Sequence, residues 1–216
     1  MNESQSTELF QGIARFLDER KLEFDQITAA RQEALSQLAR YVGDSLATIG
    51  TAKLTFICTH NSRRSHLAQV WAKVAADACG LTGVQTFSGG TEATAMNPRV
   101  VDSLCRSGFQ IQADNPRSDN PTYLVRYSDA APPLRCFSKV HDQPPNPTSG
   151  YAAVMTCSDA DQACPVVAGC DLRSPIRYED PKVADGSPAE ADTYDARSRQ
   201  IAREMFFLMH EVECLD

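Results

Sequence analysis

Short apolar runs separated by helix-length amphipathic stretches restrict what this chain can fold into. Residues 53–57 (KLTFI), 84–87 and 151–156 (YAAVMT) read as buried strands, and a fourth is expected near 174–178. A helix is expected from about 65 to 78, with Leu67, Val70, Trp71 and Val74 inward and Gly80 at its end. Asn97 followed by Pro98 opens another, which Gly108 stops. Ser187, Pro188 and Glu190 open a last long helix that should bury Ile201, Met205, Leu208 and Val212. Strands alternating with helices need right-handed crossovers, so the expected class is α/β: a four-stranded parallel sheet flanked by helices. Ligands of such sheets sit beyond the carboxyl ends of the strands. Cys58 follows the first strand and Cys157 ends the third, so both belong to that end.

Two further helices are expected ahead of the sheet. One covers 5–21, with Ser4 or Ser6 as cap, Glu8 in the first turn, and Leu9, Phe10, Ile13, Phe16 and Leu17 on one side. The other covers 26–48, with Ile27, Leu35, Leu38, Val42 and Leu46 as its apolar stripe. The organisation expected is thus an N-terminal helical extension over 1–50 and an α/β domain over 51–216. Residues 112–150 are rich in proline and poor in periodicity. They are expected to form an irregular insertion with a short hairpin near 123–127, of the kind that serves as a lid or binding loop.

The formal net charge of −7 argues against a general nucleic-acid or anionic-membrane binder, so an anionic ligand needs a local positive site. No apolar run reaches the roughly 20 residues of a membrane span. The start, MNESQSTELF, lacks the basic and apolar regions of a signal peptide, and a cytoplasmic location is expected. In a reducing compartment the eight cysteines point to catalytic, redox or metal roles rather than a disulfide framework. Cys79 and Cys105, in apolar helical stretches, read as small buried hydrophobes.

The segment Cys58-Thr59-His60-Asn61-Ser62-Arg63-Arg64-Ser65 leaves a strand and enters a helix. The unpaired N–H groups of the helix start, its partial positive dipole and the Arg64 guanidinium all favour an anion there. The same field favours thiolate over thiol, which makes Cys58 a candidate nucleophile. Ser65 has two readings, a hydrogen-bond donor to the sulfur or a plain helix cap.

This segment resembles the signature of low-molecular-weight protein tyrosine phosphatases and of the thioredoxin-coupled arsenate reductases that share their fold, Cys-x-Gly-Asn-x-Cys-Arg-Ser after a strand. The resemblance implies that Cys58 is the nucleophile, Asn61 shapes the loop, Arg64 binds the oxyanion and Ser65 donates to the thiolate. Thr59, His60, Ser62 and Arg63 complete the substrate loop. His60 stands where the family has Gly, and Arg63 where it has Cys. Arg63 either adds positive charge to the pocket or lies solvated on the helix face. Ser88-Gly89-Gly90-Thr91-Glu92-Ala93 and Asn97-Pro98 are similar to the stretch after the family's second strand.

A second constellation separates the two activities within that family. Cys157 and Cys164 lie seven places apart after the third strand. Arsenate reductases of this fold carry such a pair, and the tyrosine phosphatases lack it. The resemblance implies a relay in which Cys58 attacks arsenate, Cys157 attacks Cys58, and Cys164 attacks Cys157, with an external thioredoxin-like reductant closing the cycle and no bound cofactor. Two other readings of the pair are buried small residues, or a zinc site together with Cys170. Asp180, in Tyr178-Glu179-Asp180-Pro181, corresponds to the family's general acid, or else simply forms a turn. The residues after it, Lys182-Val183-Ala184-Asp185-Gly186, lack the tyrosines with which the phosphatases frame an aromatic substrate. The expected function is therefore arsenate reduction. Phosphatase activity on phosphotyrosine or small phosphoesters is the alternative, and a non-enzymatic oxyanion or redox sensor is the third possibility.

Overall fold

A computed structural model describes residues 7–214. Its central sheet is parallel, in the order β2 (Val84–Gly90), β1 (Ala52–Cys58), β6 (Tyr151–Met155), β7 (Cys170–Pro175). Helices α3 (Arg64–Ala78), α4 (Pro98–Arg106), α5 (Ser158–Ala163) and α6 (Glu190–Glu213) connect or follow these strands, ahead of which lie α1 (Gln11–Lys21) and α2 (Ala29–Ile49). The four-stranded α/β class expected from the alternation is what forms. Every residue of β6 is buried, as a central parallel strand covered on both faces requires.

Helix α6 is the hub of the helical layer: it packs on α1, α2, α3 and α4. Ile13 and Leu17 of α1, and Leu35, Leu38 and Val42 of α2, share one apolar core with Leu54, Phe56, Trp71 and Met205. Each such fully buried side chain contributes roughly 1.5–3 kcal/mol over its exposed state. Phe16 stacks on Trp71 at 4.8 Å between ring centroids, and the indole Nε1 donates to Ser198 Oγ at 2.9 Å, so α1 is tied to both α3 and α6. Helix α2 starts at its Thr28 cap, whose side chain accepts from the Arg31 N–H, and ends at Gly50, whose φ of 73° suits a glycine.

Three expectations need correction. Helix α1 starts at Gln11, not near residue 5, because Thr7 N–H donates to Asp77 O and Phe10 N–H to Tyr127 O, holding residues 7–10 against other parts of the chain. Glu8 is therefore outside the helix, and Ser4 and Ser6 lie outside the described residues. The 112–150 stretch is not structureless beyond one hairpin. It joins β3 (Gln110–Ala113), β4 (Tyr123–Arg126) and β5 (Leu134–Cys136) in an antiparallel sheet, whose strands are too short for periodicity to reveal. Cys79 packs against the core as expected, but Cys105 is exposed, because α4 turns it outward while burying Val100 and Leu104. Among the described residues, no helix is long and apolar enough to cross a membrane.

Candidate active site

Strand β1 delivers Cys58 to the carboxyl edge of the sheet, and six residues later α3 begins. Between them the backbone turns through Asn61, which has φ 44°, a left-handed conformation that asparagine tolerates better than most residues. The carbonyls of this loop face outward and are occupied. Thr91 N–H reaches Cys58 O, Glu92 N–H and Thr91 Oγ1 reach Thr59 O, Thr94 Oγ1 and Ser138 Oγ reach His60 O, and Asn97 N–H reaches Ser62 O. Among the described residues, none of the N–H groups of His60, Asn61, Ser62 and Arg63 donates to another protein group. A loop that spends its acceptors outward turns its donors inward, the arrangement of an anion nest. The loop also lies tight against β2: a Cβ on Gly90 would stand 2.6 Å from Thr59 O and 2.7 Å from the Asn61 N.

One directed chain of hydrogen bonds orients the sulfur. Lys139 N–H donates to Asn61 Oδ1 at 2.9 Å, which aims the other end of that amide, Nδ2, at Ser65 Oγ, also at 2.9 Å. Because Ser65 Oγ accepts there, its own hydrogen is available to Cys58 Sγ at 3.1 Å. Asn61 and Ser65 are fully buried and Cys58 nearly so. His66 is buried behind them with Ser88 Oγ 3.2 Å from Nδ1, and burial, helped by the Lys139 charge, pushes its pKa down to about 3. Burial also lowers the Lys139 ammonium, to about 8.

Arg64 and Asp180, expected to do different jobs, touch each other. The guanidinium donates to Asp180 Oδ2 at 2.7 Å and to Tyr178 O at 3.0 Å, while its buried Nε is left without a partner. Asp180 also forms the turn of the bland reading, since its Oδ1 accepts from Lys182 N–H at 3.1 Å. A cavity of about 520 Å³ opens beside this pair, lined by Arg31, Arg64, Ser158, Tyr178, Asp180 and Arg197 among others. Arg63 is not solvated on the helix face, and its Nε lies 3.9 Å from Asp180 Oδ1, the partner of Arg64. It is drawn to Tyr194 OH at 2.8 Å and Asp185 at 3.2 Å, a largely covered ion pair away from the solvated helix face. His60 sits at the rim, half exposed, 3.0 Å from Glu92.

Cys157 lies one strand over. Thr156 N–H donates to Ile57 O at 2.7 Å, and Thr59 Oγ1 is 3.6 Å from Cys157 Sγ. Cys58 and Cys157 occupy one buried cluster with Ile57, Met155, Ala160 and Val167, against which Cys164 and Cys170 pack. Cys157 caps α5, its sulfur accepting from Ala160 N–H at 3.3 Å, and Cys164 closes the other end of that helix. Cys170 donates to Val167 O. Among the described residues, no group of three or more His, Cys, Asp or Glu is placed to hold a metal ion.

Sequence reasoning missed Lys139, Ser138, His66, Asp185 and Tyr194. The first two sit in the insertion and act on the loop from 78 positions away, which no local pattern reports. His66 directly follows the motif and looked like an ordinary helical residue.

Comparison with known proteins agrees with this geometry. The low molecular weight phosphotyrosine protein phosphatase family matches residues 53–126. An arsenate reductase of Staphylococcus epidermidis is 28% identical over 127 residues, 58% of this chain and 76% of that protein. One of Bacillus licheniformis is 26% identical over 144 residues, covering 67% and 84% of the two chains. The crystal structure of Primo-1 superposes with a TM-score of 0.50 at 14% identity, over 74% of this chain and 97% of that one, and so shares its fold. With the loop and the sheet order, these matches make the chain similar to the low-molecular-weight phosphotyrosine phosphatases over residues 53–126 and, at 26–28% identity, to arsenate reductases.

Proposed function

We propose that this chain reduces arsenate to arsenite with thiols alone. The observation that carries the reading is the placement of Cys157: buried in one cluster with Cys58, and heading a helix that Cys164 closes. Phosphoester hydrolysis needs a nucleophile, an oxyanion ligand and an acid, whereas a two-electron reduction also needs a thiol pair.

The loop N–H groups and Arg64 bind the tetrahedral oxyanion, and Thr59, His60, Asn61 and Ser62 form its walls. Arg63 acts indirectly, through its contacts to Asp185 and Tyr194. Cys58, held by Ser65, attacks arsenic and displaces an oxygen, which Asp180 protonates so that water leaves. Cys157 then attacks Cys58 Sγ. The As–S pair stays with arsenic, which departs as As(III), and a Cys58–Cys157 disulfide remains. Cys164 attacks Cys157, releases the Cys58 thiolate and forms a Cys157–Cys164 disulfide. The two electrons lost by the thiols equal the two gained by arsenic. An external dithiol protein of the thioredoxin kind restores the pair, and no bound cofactor takes part.

The test is arsenate turnover with a thioredoxin system. Cys157→Ser and Cys164→Ser should each abolish multiple turnover while leaving aryl-phosphate hydrolysis at the wild-type level. Full reductase activity in both variants would end this reading. The second reading, a phosphatase that uses Cys58, Arg64 and Asp180 alone, is favoured by the direct Arg64–Asp180 contact. It requires substantial phosphoester hydrolysis that is indifferent to oxidation of Cys157 and Cys164.

A further inference from the structure

We propose that Arg173, aided by Arg177, latches helix α5 shut through Asp161 and so sets how readily Cys157 and Cys164 pair. This inference rests on the thiol relay proposed above and assigns it two positioning residues.

The need for a latch follows from length. Cys157 and Cys164 stand seven positions apart, across a six-residue helix. At 1.5 Å per residue their Cα atoms stand roughly 10 Å apart, whereas a disulfide needs about 4.4–6.8 Å. The helix must therefore come apart before the two sulfurs can join. Its own bonds are few: Asp161 N–H to Cys157 O at 3.1 Å and Cys164 N–H to Ala160 O at 3.0 Å are two of them. A helix this short is marginal unless something outside holds it.

What holds it is a single guanidinium from the adjoining strand. Arg173 of β7 donates from Nε to Cys164 O at 3.0 Å and from Nη2 to Asp161 O at 2.7 Å, and its Nη2 also meets the Asp161 carboxylate. It thus takes two carbonyls at the helix C-terminus, where a cation is favoured, together with the buried carboxylate of the helix. Arg177 reaches the other carboxylate oxygen of Asp161 at 2.5 Å. The Asp161 side chain is only 7% exposed, so its pair with Arg173 is largely shielded from solvent, while Arg177 approaches from the exposed side. Strand β7 is locked in the sheet by its pairing with β6, and the latch joins a segment that must move to one that does not. Neither Arg173 nor Asp161 lines the cavity beside Arg64 and Asp180, whereas Arg177 does.

Every latch contact belongs to the helical, dithiol form. Removing it raises the energy of that form and favours the disulfide. The experiment equilibrates full-length protein with reduced and oxidised glutathione and reads the Cys157–Cys164 disulfide by alkylation and peptide mapping. In this exchange the protein loses two electrons and two protons, and one oxidised glutathione becomes two thiols. Arg173→Met and Asp161→Asn should each shift the equilibrium toward disulfide on the order of tenfold, about 30 mV in reduction potential. Arg177→Gln should shift it less, and Arg173→Lys should recover part of the wild-type value. Amide hydrogen exchange over 158–163 should accelerate in Arg173→Met with the rest of the sheet unchanged, which separates latch loss from general unfolding. Wild-type equilibria in both Arg173→Met and Asp161→Asn, or a shift toward dithiol, would overturn the latch. If the wild type forms no Cys157–Cys164 disulfide at any glutathione ratio, the relay itself is wrong and the latch falls with it.

Discussion

The Cys58 loop and helix α5 sit side by side at one edge of the sheet and are held in opposite ways. The loop is gripped from many directions: by 91–97 after β2, by Ser138 and Lys139 from the insertion, and by Asn61 and Ser65 within. Helix α5 has a few internal bonds and one cluster of arginines on one carboxylate. Under the proposed relay, the loop keeps its shape while α5 loses its own. An anion nest works only if its donors are already aimed, because reorganising them during reaction would consume the stabilisation they offer. A thiol relay works only if the second sulfur travels.

That contrast can be broken by measurement, beginning with the largest effect. Cys58→Ser should lower both arsenate turnover and aryl-phosphate hydrolysis by at least about 10⁴-fold, near 5 kcal/mol of barrier, whereas Cys164→Ser should spare the hydrolysis. Equal losses from both would erase the distinction between the two regions.

The rigidity of the loop should also show in acid. His66 is neutral and buried beside it, with its pKa lowered to about 3 against 6.5 for an ordinary imidazole. Between those values the unfolded chain binds a proton that the folded one does not, so stability falls as pH drops from about 6.5 toward 3. The full effect is roughly 4–5 kcal/mol from this group. Urea titrations across that range should show about one fewer proton taken up on unfolding in His66→Gln than in the wild type.

Gly90→Ala should cost about 3 kcal/mol, since its Cβ would meet three backbone atoms, Glu92 O at 2.2 Å among them, and backbone yields less than a side-chain tip. Asn61→Ala should cost about 2 kcal/mol, from two lost buried hydrogen bonds and a positive φ, and should slow alkylation of Cys58 by iodoacetamide. The smallest effect belongs to α5: exposed Asp159→Ala should change global stability by less than about 0.5 kcal/mol. A larger cost there than at Asn61 would reverse the comparison.

Much of this was legible in the residues. The segment around β1 announced itself because strand, loop and helix are contiguous and each carries its own signal: apolar KLTFI, then the motif, then the stripe of Leu67, Val70, Trp71 and Val74. The cap of α4 was equally local, with Asn97 accepting from Arg99 N–H and Pro98 following. The sheet β3–β5 was not legible, because its strands have three or four residues and owe their existence to pairing partners. Nor were the partners of Arg63 and Arg173, since an ion pair is settled by which distant carboxylate the fold brings near. Residues 7–10 failed for the same reason: Asp77 and Tyr127 override a helical pattern that is locally sound.

Lys139 has a consequence for how the protein is made. Its backbone N–H fixes the Asn61 amide, and through it the hydroxyl that steadies the sulfur. A ribosome finishes Cys58 long before it reaches Lys139. The growing chain therefore carries an unsteadied thiol until β4, β5 and the residues behind them have emerged and folded back. The sulfur is thus steadied late in synthesis, and strands β6 and β7 emerge later still.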